Sequence, residues 1–445
     1  MKAVETIKNI WKIEELKKRI LTTIALVAVY RFGTYIVLPG VDVASLVGSL
    51  KSQTSEGLLN LLDMFSGGAF SNASIFGLGI MPYISASIVI QLLTMAVPFF
   101  QKLQREGESG RRKINQYTRY LTVAILIIQA PVYLVNARTQ GVVMPDTLWF
   151  RISSTIILAA GSMFIMWLGE RITDKGIGNG ISFIIMVGII ARFPHALAEE
   201  FVSRMANAND GGLVMLLGEV LLLLMVIAGC ILLVQGTRKI PVQYAKRIVG
   251  NKQYGGARQY IPLKVNAAGV MPIIFAQAIM FVPVTLASYA DPESMSGGFL
   301  RSMVDMNGLW YNVVFSLMII AFTYFYTAVT INPTQMAEDL KKNNGFIPGI
   351  KPGKRTAEYI DLIMSRITFP GSLFIALVAI MPAFARMIGI SGGFAQFFGG
   401  TSLLILVGVV LDTLQQVESH LLMRHYDGLL KTGRIKGRSG SVSAY

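Results

Sequence analysis

The side chains that usually perform metal or nucleophilic chemistry are scarce in this chain. It has three histidines and one cysteine, Cys230, which are too few to build a transition-metal cluster. No H-E-x-x-H, G-x-S-x-G or pair of aspartates lies in an apolar segment. The run from Gly349 to Thr356 lacks the spacing of a phosphate-binding loop. We therefore expect no catalytic residue, no metal and no cofactor.

The stretch from 63 to 98 has a composition that fits transport better than catalysis. Its first part, Asp63 to Ser74, is short, polar and interrupted by Gly67-Gly68, which disfavour a helix. Its second part, from Ile75, is apolar and long enough to cross a bilayer, which takes about 20 helical residues. A short interrupted segment is tolerated at membrane depth only where protein or a water-filled cavity surrounds it. The combination favours a channel or a transporter.

The composition of the whole chain indicates the elements that must position this stretch. Hydrophobic residues make up 53% of the sequence and charged residues only 15%, and the mean hydropathy is +0.56. Soluble domains carry about 25% charged residues. The chain is therefore predicted to be an all-α polytopic membrane protein. Ten apolar segments can be marked, at 20–38, 75–98, 120–136, 152–169, 179–197, 213–235, 268–289, 309–331, 370–390 and 400–418.

The distribution of lysine and arginine predicts the orientation of these segments. If all ten cross the membrane, alternate sides receive 32 and 6 of these residues, and Arg31 and Arg192 lie inside spans, which accounts for all 40. Basic loops stay in the cytosol, so both termini are predicted to be cytosolic. Segment five is the weakest, because Arg192 interrupts it and Pro194 follows, but omitting it would place the most basic later loops outside. Segment five is therefore predicted to span.

Ten spans give two five-helix halves of opposite orientation, an arrangement common in membrane transport proteins, and the family resemblance described below implies that they surround a central pore. Residues 1–19 are predicted to form a cytosolic helix on the membrane surface, with a solvated helix as the alternative. Two intramembrane charges, Arg31 and Asp412, stand out, since such residues are costly in lipid, but neither receives a role. The remaining regions are 20–197 (the N-terminal half), 198–267 (span six and a basic loop), 268–418 (the rest of the C-terminal half) and 419–445 (a cytosolic tail).

Four motifs in the first half carry a family resemblance. They are Phe65-Ser66-Gly67-Gly68-Ala69, Gly79 to Ser87, Gly107 to Lys113 and Glu170 to Ser182. They resemble the SecY family, the pore subunits of the bacterial protein-conducting channel, and the resemblance extends over nearly the whole chain. It implies that residues 63–72 are a plug in the outer funnel and that the second motif lies on a pore-lining helix. The glycines of the fourth motif permit a tight turn between segments four and five.

The resemblance also implies a ring of branched aliphatic side chains in the pore. Its positions are Ile80, Ile84, Ile181, Ile185, Ile274 and Ile405. The first two and the next two are four residues apart, so each pair lies on one helix face. Such a ring can close a pore by dewetting, yet it can separate around a passing chain without hydrogen bonds to it. Without the resemblance, the ordinary interpretation of each isoleucine is a lipid-facing or packed position.

Three glutamines form a predicted gate. Gln91, Gln129 and Gln277 lie in segments two, three and seven, which border the lateral gate in the SecY family. The alternative for each glutamine is a hydrogen bond that only supports helix packing.

Two basic loops, 236–267 and 332–369, form a predicted docking surface. Its basic residues are Arg238, Lys246, Arg247, Lys351, Lys354 and Arg355. The positive-inside tendency alone is one explanation, but Pro-Gly turns that hold basic side chains outward also suit an acidic partner or RNA phosphates. In the SecY family the matching loops dock the ribosome and the motor ATPase SecA. The family usually has arginine where Lys351 stands, and lysine lacks the bidentate fork.

The resemblance implies the function. We expect the central pore-forming subunit of the Sec translocon, in the bacterial inner membrane, which passes unfolded preproteins across and releases apolar segments sideways into the lipid bilayer. The implied partners are SecE, SecG, SecA, the ribosome and preprotein substrates. The alternative is an ion-coupled secondary transporter of a small solute, which would need polar ligands at the midplane, where the candidate pore positions are aliphatic. An intramembrane enzyme is a further alternative, which the missing motifs disfavour.

Overall fold

The computed structural model describes residues 13–42, 63–139, 142–206, 212–244, 247–249, 252–254, 258–277, 279–280 and 308–431. Within them, long helices form a bundle and five short strands lie at one end of it. Most of the predicted surface helix at 1–19, the later part of segment seven, Lys246 and the tail after 431 lie outside the described residues.

The described part of the first half contains six helices. They are α1 Glu14–Gly33, α2 Met81–Ala96, α3 Pro98–Arg105, α4 Glu108–Thr139, α5 Leu148–Lys175 and α6 Gly180–Ala206. The predicted start of segment two at 75 is wrong, because residues 75–80 form turns and Gly79 has a φ of +57°. At the extended residue Val97 the chain bends by 99° between α2 and α3.

Seven more helices lie among the residues of the second half that the structure describes. They are α7 Gly212–Gln235, α8 at 271–277, α9 Leu309–Thr330, α10 Pro333–Lys342, α11 Lys354–Met387, α12 Gly392–Ala395 and α13 Gly400–Lys431. Asn332 caps α10, because its side chain accepts bonds from the main-chain N–H groups of Thr334 and Gln335. A 3₁₀ turn, Gln396–Phe398, connects α12 to α13.

The membrane-spanning character of the bundle follows from helix length and composition. Among the described residues, seven helices are long and apolar enough to cross a bilayer, or eight if the bent α2–α3 pair is one span. The other two predicted segments correspond to α1 and to the partly described α8, so the observed helices are consistent with ten. α6 continues through Arg192 and Pro194, so the weak segment five is a single helix. Large apolar side chains of α7, such as Leu221 and Leu224, are exposed, as in helices that contact lipid.

The predicted all-α fold class is confirmed, and the two basic loops add short strands to the helical bundle. The strands are β1 Thr237–Tyr244, β2 Arg247–Val249, β3 Lys252–Tyr254, β4 Arg258–Lys264 and β5 Gly345–Phe346. β1 pairs antiparallel with β4 on one side and with β5 on the other, while β2 and β3 form a separate hairpin. Since β5 comes from the second loop, the two loops form one unit, which we call the basic platform (236–264 and 332–360).

The platform has its own small core. Ile240 and Val242 of β1 are buried, whereas Arg238 and Lys239 beside them are exposed. The buried pair packs with Leu263 of β4 and with residues of the second loop and α11, namely Leu340, Ile347, Ile360 and Met364. This alternation of buried and exposed residues is the pattern of a strand with one buried face.

The α5–α6 connection is the tight turn that the glycines of the fourth motif predict. The main-chain N–H of Ile177 donates to Thr23 Oγ1 of α1 at 3.2 Å, and the N–H of Gly178 donates to Gln416 Oε1 of α13 at 2.9 Å. Gly178 has a φ of +81°, which favours glycine. The turn therefore ties the first and last described helices together. We call the end of the bundle with this turn and the platform the basic end.

Candidate functional site

Residues 63–73, the plug segment, form a compact buried loop between α1 and α2. A helical turn at 63–65 is followed by turns through residue 73, with Gly67 at φ +65° and Gly68 at φ +92°. The segment ends at a short antiparallel bridge between Val37 and Ser74. Since Gly67 and Gly68 both adopt left-handed conformations, the backbone turns where a helix would otherwise continue.

The plug segment is held together by its own polar groups. The Asp63 carboxylate accepts a bond from the main-chain N–H of Ser71 at 2.8 Å. Ser66 Oγ donates to the carbonyl of Asp63 at 3.0 Å and accepts from the N–H of Phe70 at 3.1 Å. Because buried main-chain groups are paired in this way, the segment can remain ordered away from water.

Two glycines allow the plug segment to contact α6 backbone to backbone. A Cβ added at Gly67 would lie 2.9 Å from Gly188 Cα, and one added at Gly188 would lie 3.0 Å from the carbonyl oxygen of Phe65. Distances this short exclude larger residues unless the chains separate. The plug segment is therefore seated directly on the middle of α6.

Arginine side chains from two helices anchor the plug segment. Arg31 of α1 donates from Nη1 to the carbonyl of Gly67 at 2.9 Å. Arg192 of α6 forms an ion pair with the fully buried Asp63 carboxylate and donates to Ser71 Oγ at 2.9 Å. A buried carboxylate is costly unless it is paired, so Arg192 is needed for Asp63 to remain ionised in place.

Two tyrosine hydroxyls complete the anchoring. Tyr30 of α1 donates to the carbonyl of Ser66 at 3.0 Å, and Tyr133 of α4 donates to the carbonyl of Phe70 at 2.9 Å. The Tyr133 ring also meets the Phe70 ring edge-on, at 4.8 Å between centroids. Three different helices, α1, α4 and α6, thus contribute hydrogen bonds to one loop.

Five of the six predicted ring isoleucines lie in the same hydrophobic cluster as the plug segment. Ile80, Ile185 and Ile405 are buried in this cluster, and Ile84 and Ile181 are half-buried against it. The buried members of this cluster that come from the plug segment are Met64, Phe65 and Ala69. Ile274 is half-buried on α8 and is not a described member of this cluster. The structure thus brings together ring positions from α6, α13 and the start of α2.

The three predicted gate glutamines lie in two separate places. Gln91 on α2 and Gln129 on α4 are half-buried on two helices that pack against each other. Gln91 Oε1 is buried and has no hydrogen-bond partner among the described residues. Gln277 on α8 lines a cavity of about 90 Å³ in the second half, together with Asn312 and Ser402.

The predicted docking residues lie on the basic platform. Arg238, Lys351, Lys354 and Arg355 are exposed. Arg247 lies in β2, opposite Tyr254 of β3. Because β1 and β5 are joined through the pairs Gln243–Phe346 and Tyr244–Gly345, the basic residues of both loops are carried by one folded unit.

The plug anchors are the functional residues that sequence reasoning missed. In the sequence, Arg31 stands out only as an intramembrane charge without a role. Arg192 stands out only because it interrupts segment five, and Asp63 only because it begins a polar stretch. The available signal was two arginines inside apolar spans beside one short segment that contains an acid. Asp412, the other intramembrane charge, is exposed on α13.

Comparison with known sequences gives one consistent answer. The sequence model of the SecY family matches residues 74–414. The Protein translocase subunit SecY of Streptomyces galbus is 42% identical over 429 residues, which cover 94% of this chain and 97% of that protein. The protein of the same name from Chlamydia trachomatis serovar D is 39% identical and covers 97% of this chain and 99% of its own.

Comparison with solved structures agrees at the level of the fold. A structure described as that of a protein conducting channel superposes with a TM-score of 0.60 at 18% identity and covers 95% of both chains. A structure described by the plug domain of the SecY protein, which stabilises the closed state and maintains a membrane seal, has a TM-score of 0.59 at 18% identity and equal coverage. Sec61 from the canine ribosome–channel complex of the endoplasmic reticulum has a TM-score of 0.56 at 16% identity, again over 95% of both chains.

Proposed function

Because this chain belongs to the SecY family, it is a protein translocase subunit that forms a protein-conducting channel, and we propose how its own residues close that channel. The observation that carries the proposal is the single buried cluster that unites the plug segment with Ile80, Ile84, Ile181, Ile185 and Ile405. A constriction of aliphatic side chains excludes water, and an ordered segment seated against it leaves no continuous path for ions. We propose that this cluster is the resting seal.

The anchors of the plug segment support this assignment. Arg31, Arg192, Tyr30 and Tyr133 all bind the segment in the described structure. One solved relative has a plug domain described as maintaining a membrane seal, and the same role is proposed for residues 63–72 here. Opening then requires the plug segment to leave Arg192 and Arg31, while the isoleucines separate without breaking any hydrogen bond of their own.

We propose that Ile274 joins the ring and that Gln91, Gln129 and Gln277 border a lateral gate. The unpaired Gln91 Oε1 argues against a purely packing role for that side chain, because a buried amide oxygen is normally bonded. Apolar segments of a substrate would leave between α2 and α4 on one side and α8 on the other, and enter the bilayer.

We propose that the basic platform docks the partners that drive translocation. Its exposed Arg238, Lys351, Lys354 and Arg355 suit ribosomal RNA phosphates or an acidic surface of the motor ATPase SecA. Lys246 and Arg247 belong to the same proposed surface. Since we assign no catalytic residue to the chain, energy would come from such partners or from the membrane potential. The small membrane subunits SecE and SecG are proposed as further partners.

We propose that the basic end faces the cytosol of a bacterium, with both termini on that side, and that the chain lies in the inner membrane. The excess of lysine and arginine at this end supports the orientation. The regions 1–19, 20–197, 198–267, 268–418 and 419–445 remain our proposed divisions of the chain. An ion-coupled transporter of a small solute is not supported, since the matching curated relatives are protein translocase subunits.

Deletion of residues 63–72 tests the proposed seal. We expect vesicles that contain the variant complex to leak ions at rest while still exporting preproteins, because the ring and the pore helices remain. Replacement of the same residues by a glycine-serine linker of equal length is the matched control for chain connectivity, and it should leak as well. Vesicles no leakier than wild type would show that this segment is an ordinary loop.

A further inference from the structure

A second group of buried charges lies at the far end of α6, opposite the basic end. Arg204 donates from Nε to Glu200 Oε1 at 2.9 Å and from Nη2 to Glu219 Oε1 of α7 at 2.6 Å. All three residues are buried. In the ten-segment prediction Arg204 follows segment five on the side with few basic residues, and the structure places it in the last turn of α6, which continues to Ala206. A loop residue would be solvated, whereas this one is enclosed by two carboxylates.

The same group binds residues 388–391, the link between α11 and α12. Arg204 Nη2 also donates to the carbonyl of Gly389 at 2.9 Å, and the main-chain N–H of Ser391 donates to Glu200 Oε2 at 2.9 Å. The chain turns at Gly389, which has a φ of +91°, a conformation that favours glycine. Three parts of the chain, α6, α7 and the link, therefore meet at one guanidinium.

The link leads directly into a phenylalanine segment, Gly392–Phe398. Phe394, Phe397 and Phe398 are buried in the same cluster as the plug segment and the ring isoleucines. Phe193 of α6 contacts the segment, with ring centroids 5.2 Å from Phe397 and 6.3 Å from Phe394. Phe193 is the neighbour of Arg192, the plug anchor, so adjacent residues of α6 support the plug segment and the phenylalanine segment.

We propose that Arg204, Glu200 and Glu219 are positioning residues for the resting seal, which hold the phenylalanine segment against α6. This inference rests on the proposed function of the cluster as a seal. Buried ion pairs seldom add net stability, but the loss of one partner leaves a charge unpaired and displaces what it held. Loss of Arg204 would release the link, and the phenylalanine segment would shift. The closed state would then lose the packing of these phenylalanines against the rest of the cluster.

Arg204→Met tests the proposal in vesicles that contain the intact complex. We expect the resting ion leak to rise by about tenfold, the change that 1.4 kcal/mol between two states produces. Glu219→Gln is the conservative variant, because it keeps an Oε1 acceptor for Arg204 and removes only the charge of the carboxylate. It should leak less than Arg204→Met. Arg112→Met removes an exposed arginine–glutamate pair and controls for charge loss alone.

A second variant keeps the test decisive if Arg204→Met fails to insert. Ser391→Pro removes the N–H that binds Glu200, together with the Ser391 hydroxyl, which has no partner among the described residues. Ser391 already has a φ of −56°, which proline adopts. The variant should leak more than wild type. With Cys230 replaced, cysteines at Phe193 and Phe397 joined by a short bifunctional thiol reagent should reduce the leak of Arg204→Met. A purely structural role would not give this rescue.

The outcomes separate the two proposals. One outcome is that Arg204→Met, Ser391→Pro or both insert normally without leaking, while deletion of residues 63–72 does leak. The positioning role is then wrong, and the proposed seal is retained. If the deletion does not leak either, the proposed seal itself is wrong. A leak in Glu219→Gln equal to that of Arg204→Met would also contradict the positioning role, since its hydrogen bond to Arg204 is retained.

Discussion

The plug segment is bound through its main chain and one buried carboxylate, whereas the basic platform presents charged side chains to solvent. At the plug segment, Arg31 and Arg192 point inward, where Arg31 binds the carbonyl of Gly67 and Arg192 binds the Asp63 carboxylate. On the platform, Lys351, Lys354 and Arg355 are exposed. The same residue types are therefore held by fixed partners in one region and exposed in the other, where we propose that they bind partner molecules. Substitutions should separate these effects, with ion leak as the readout of the first and partner binding as the readout of the second.

Loss of the Arg192 charge should have the largest effect. Arg192→Met leaves the buried Asp63 carboxylate unpaired, which should destabilise the closed state by about 3 kcal/mol or more. We expect a high resting conductance in vesicles and unchanged ribosome binding. Arg192→Lys keeps the charge and should recover part of the seal. If Arg192→Met were as tight as wild type, the ion pair with Asp63 would not contribute to closure.

An amide in the ring should have the next largest effect. Ile185→Asn places an unpaired polar group in the constriction, at a cost of about 1–3 kcal/mol to the closed state. Leak should rise and substrates with defective signal sequences should pass more readily, whereas Ile185→Val should behave as wild type. Because we propose that Ile274 joins the ring, Ile274→Asn should leak as much as Ile185→Asn. A smaller leak would place Ile274 outside the constriction, as its absence from the described cluster would then indicate.

A methyl group at the plug–α6 contact should have a moderate effect. Gly67→Ala should cost about 1–2 kcal/mol for the left-handed backbone, and its Cβ would also press on Gly188. We expect a measurable leak. Gly349→Ala is the matched control, since Gly349 has a similar φ of +84° but no atom within 4 Å of an added Cβ. A leak in both variants, or in neither, would contradict a specific role for the contact.

Neutralisation of the platform should change binding and leave the seal intact. With Lys351, Lys354 and Arg355 replaced by glutamine, the slope of log affinity for ribosomes against log salt should fall by roughly 0.7–0.9 for each lost phosphate contact. The resting leak should equal that of wild type. An unchanged salt slope would show that these residues do not contact RNA.

The smallest effect concerns an exposed carboxylate at the end opposite the basic end. The hydrogen bonds from Arg138 and Arg151 hold the pKa of Asp146 below its ordinary value. A lowered pKa in the folded state means that this carboxylate stabilises the fold above the unfolded pKa of about 4 and ceases to do so as pH falls through the folded value. Asp146→Asn should therefore lower the melting temperature slightly at pH 7. The difference from wild type should shrink as pH falls below about 4 and vanish below the lowered pKa of the folded state, and a difference that persists at still lower pH would contradict this assignment.

The helices of the bundle could be predicted from the sequence because apolar runs of this length have few alternatives. Their ends could not, since α4, α11 and α13 extend through polar residues beyond the bilayer-length segments. The pairing of β1 with β5 could not be predicted, because β5 lies about 100 residues later and such pairing leaves no local signal. The partners of Arg31 and Arg192 were missed for the same reason. The ring positions came from the family resemblance, and their isoleucines alone would have indicated only packing.

The use of α6 as a common support has a consequence for biogenesis. Arg31 and Tyr133 precede Arg192 in the chain, and Ile405 follows more than 200 residues later. A nascent chain that ends before α6 can therefore bind its plug segment through Arg31 and Tyr133. It lacks Arg192 and the α6 surface against which the segment packs. The last helix must also arrive before the isoleucines meet. The cluster that we propose as the resting seal can therefore be completed only as synthesis of the chain nears its end.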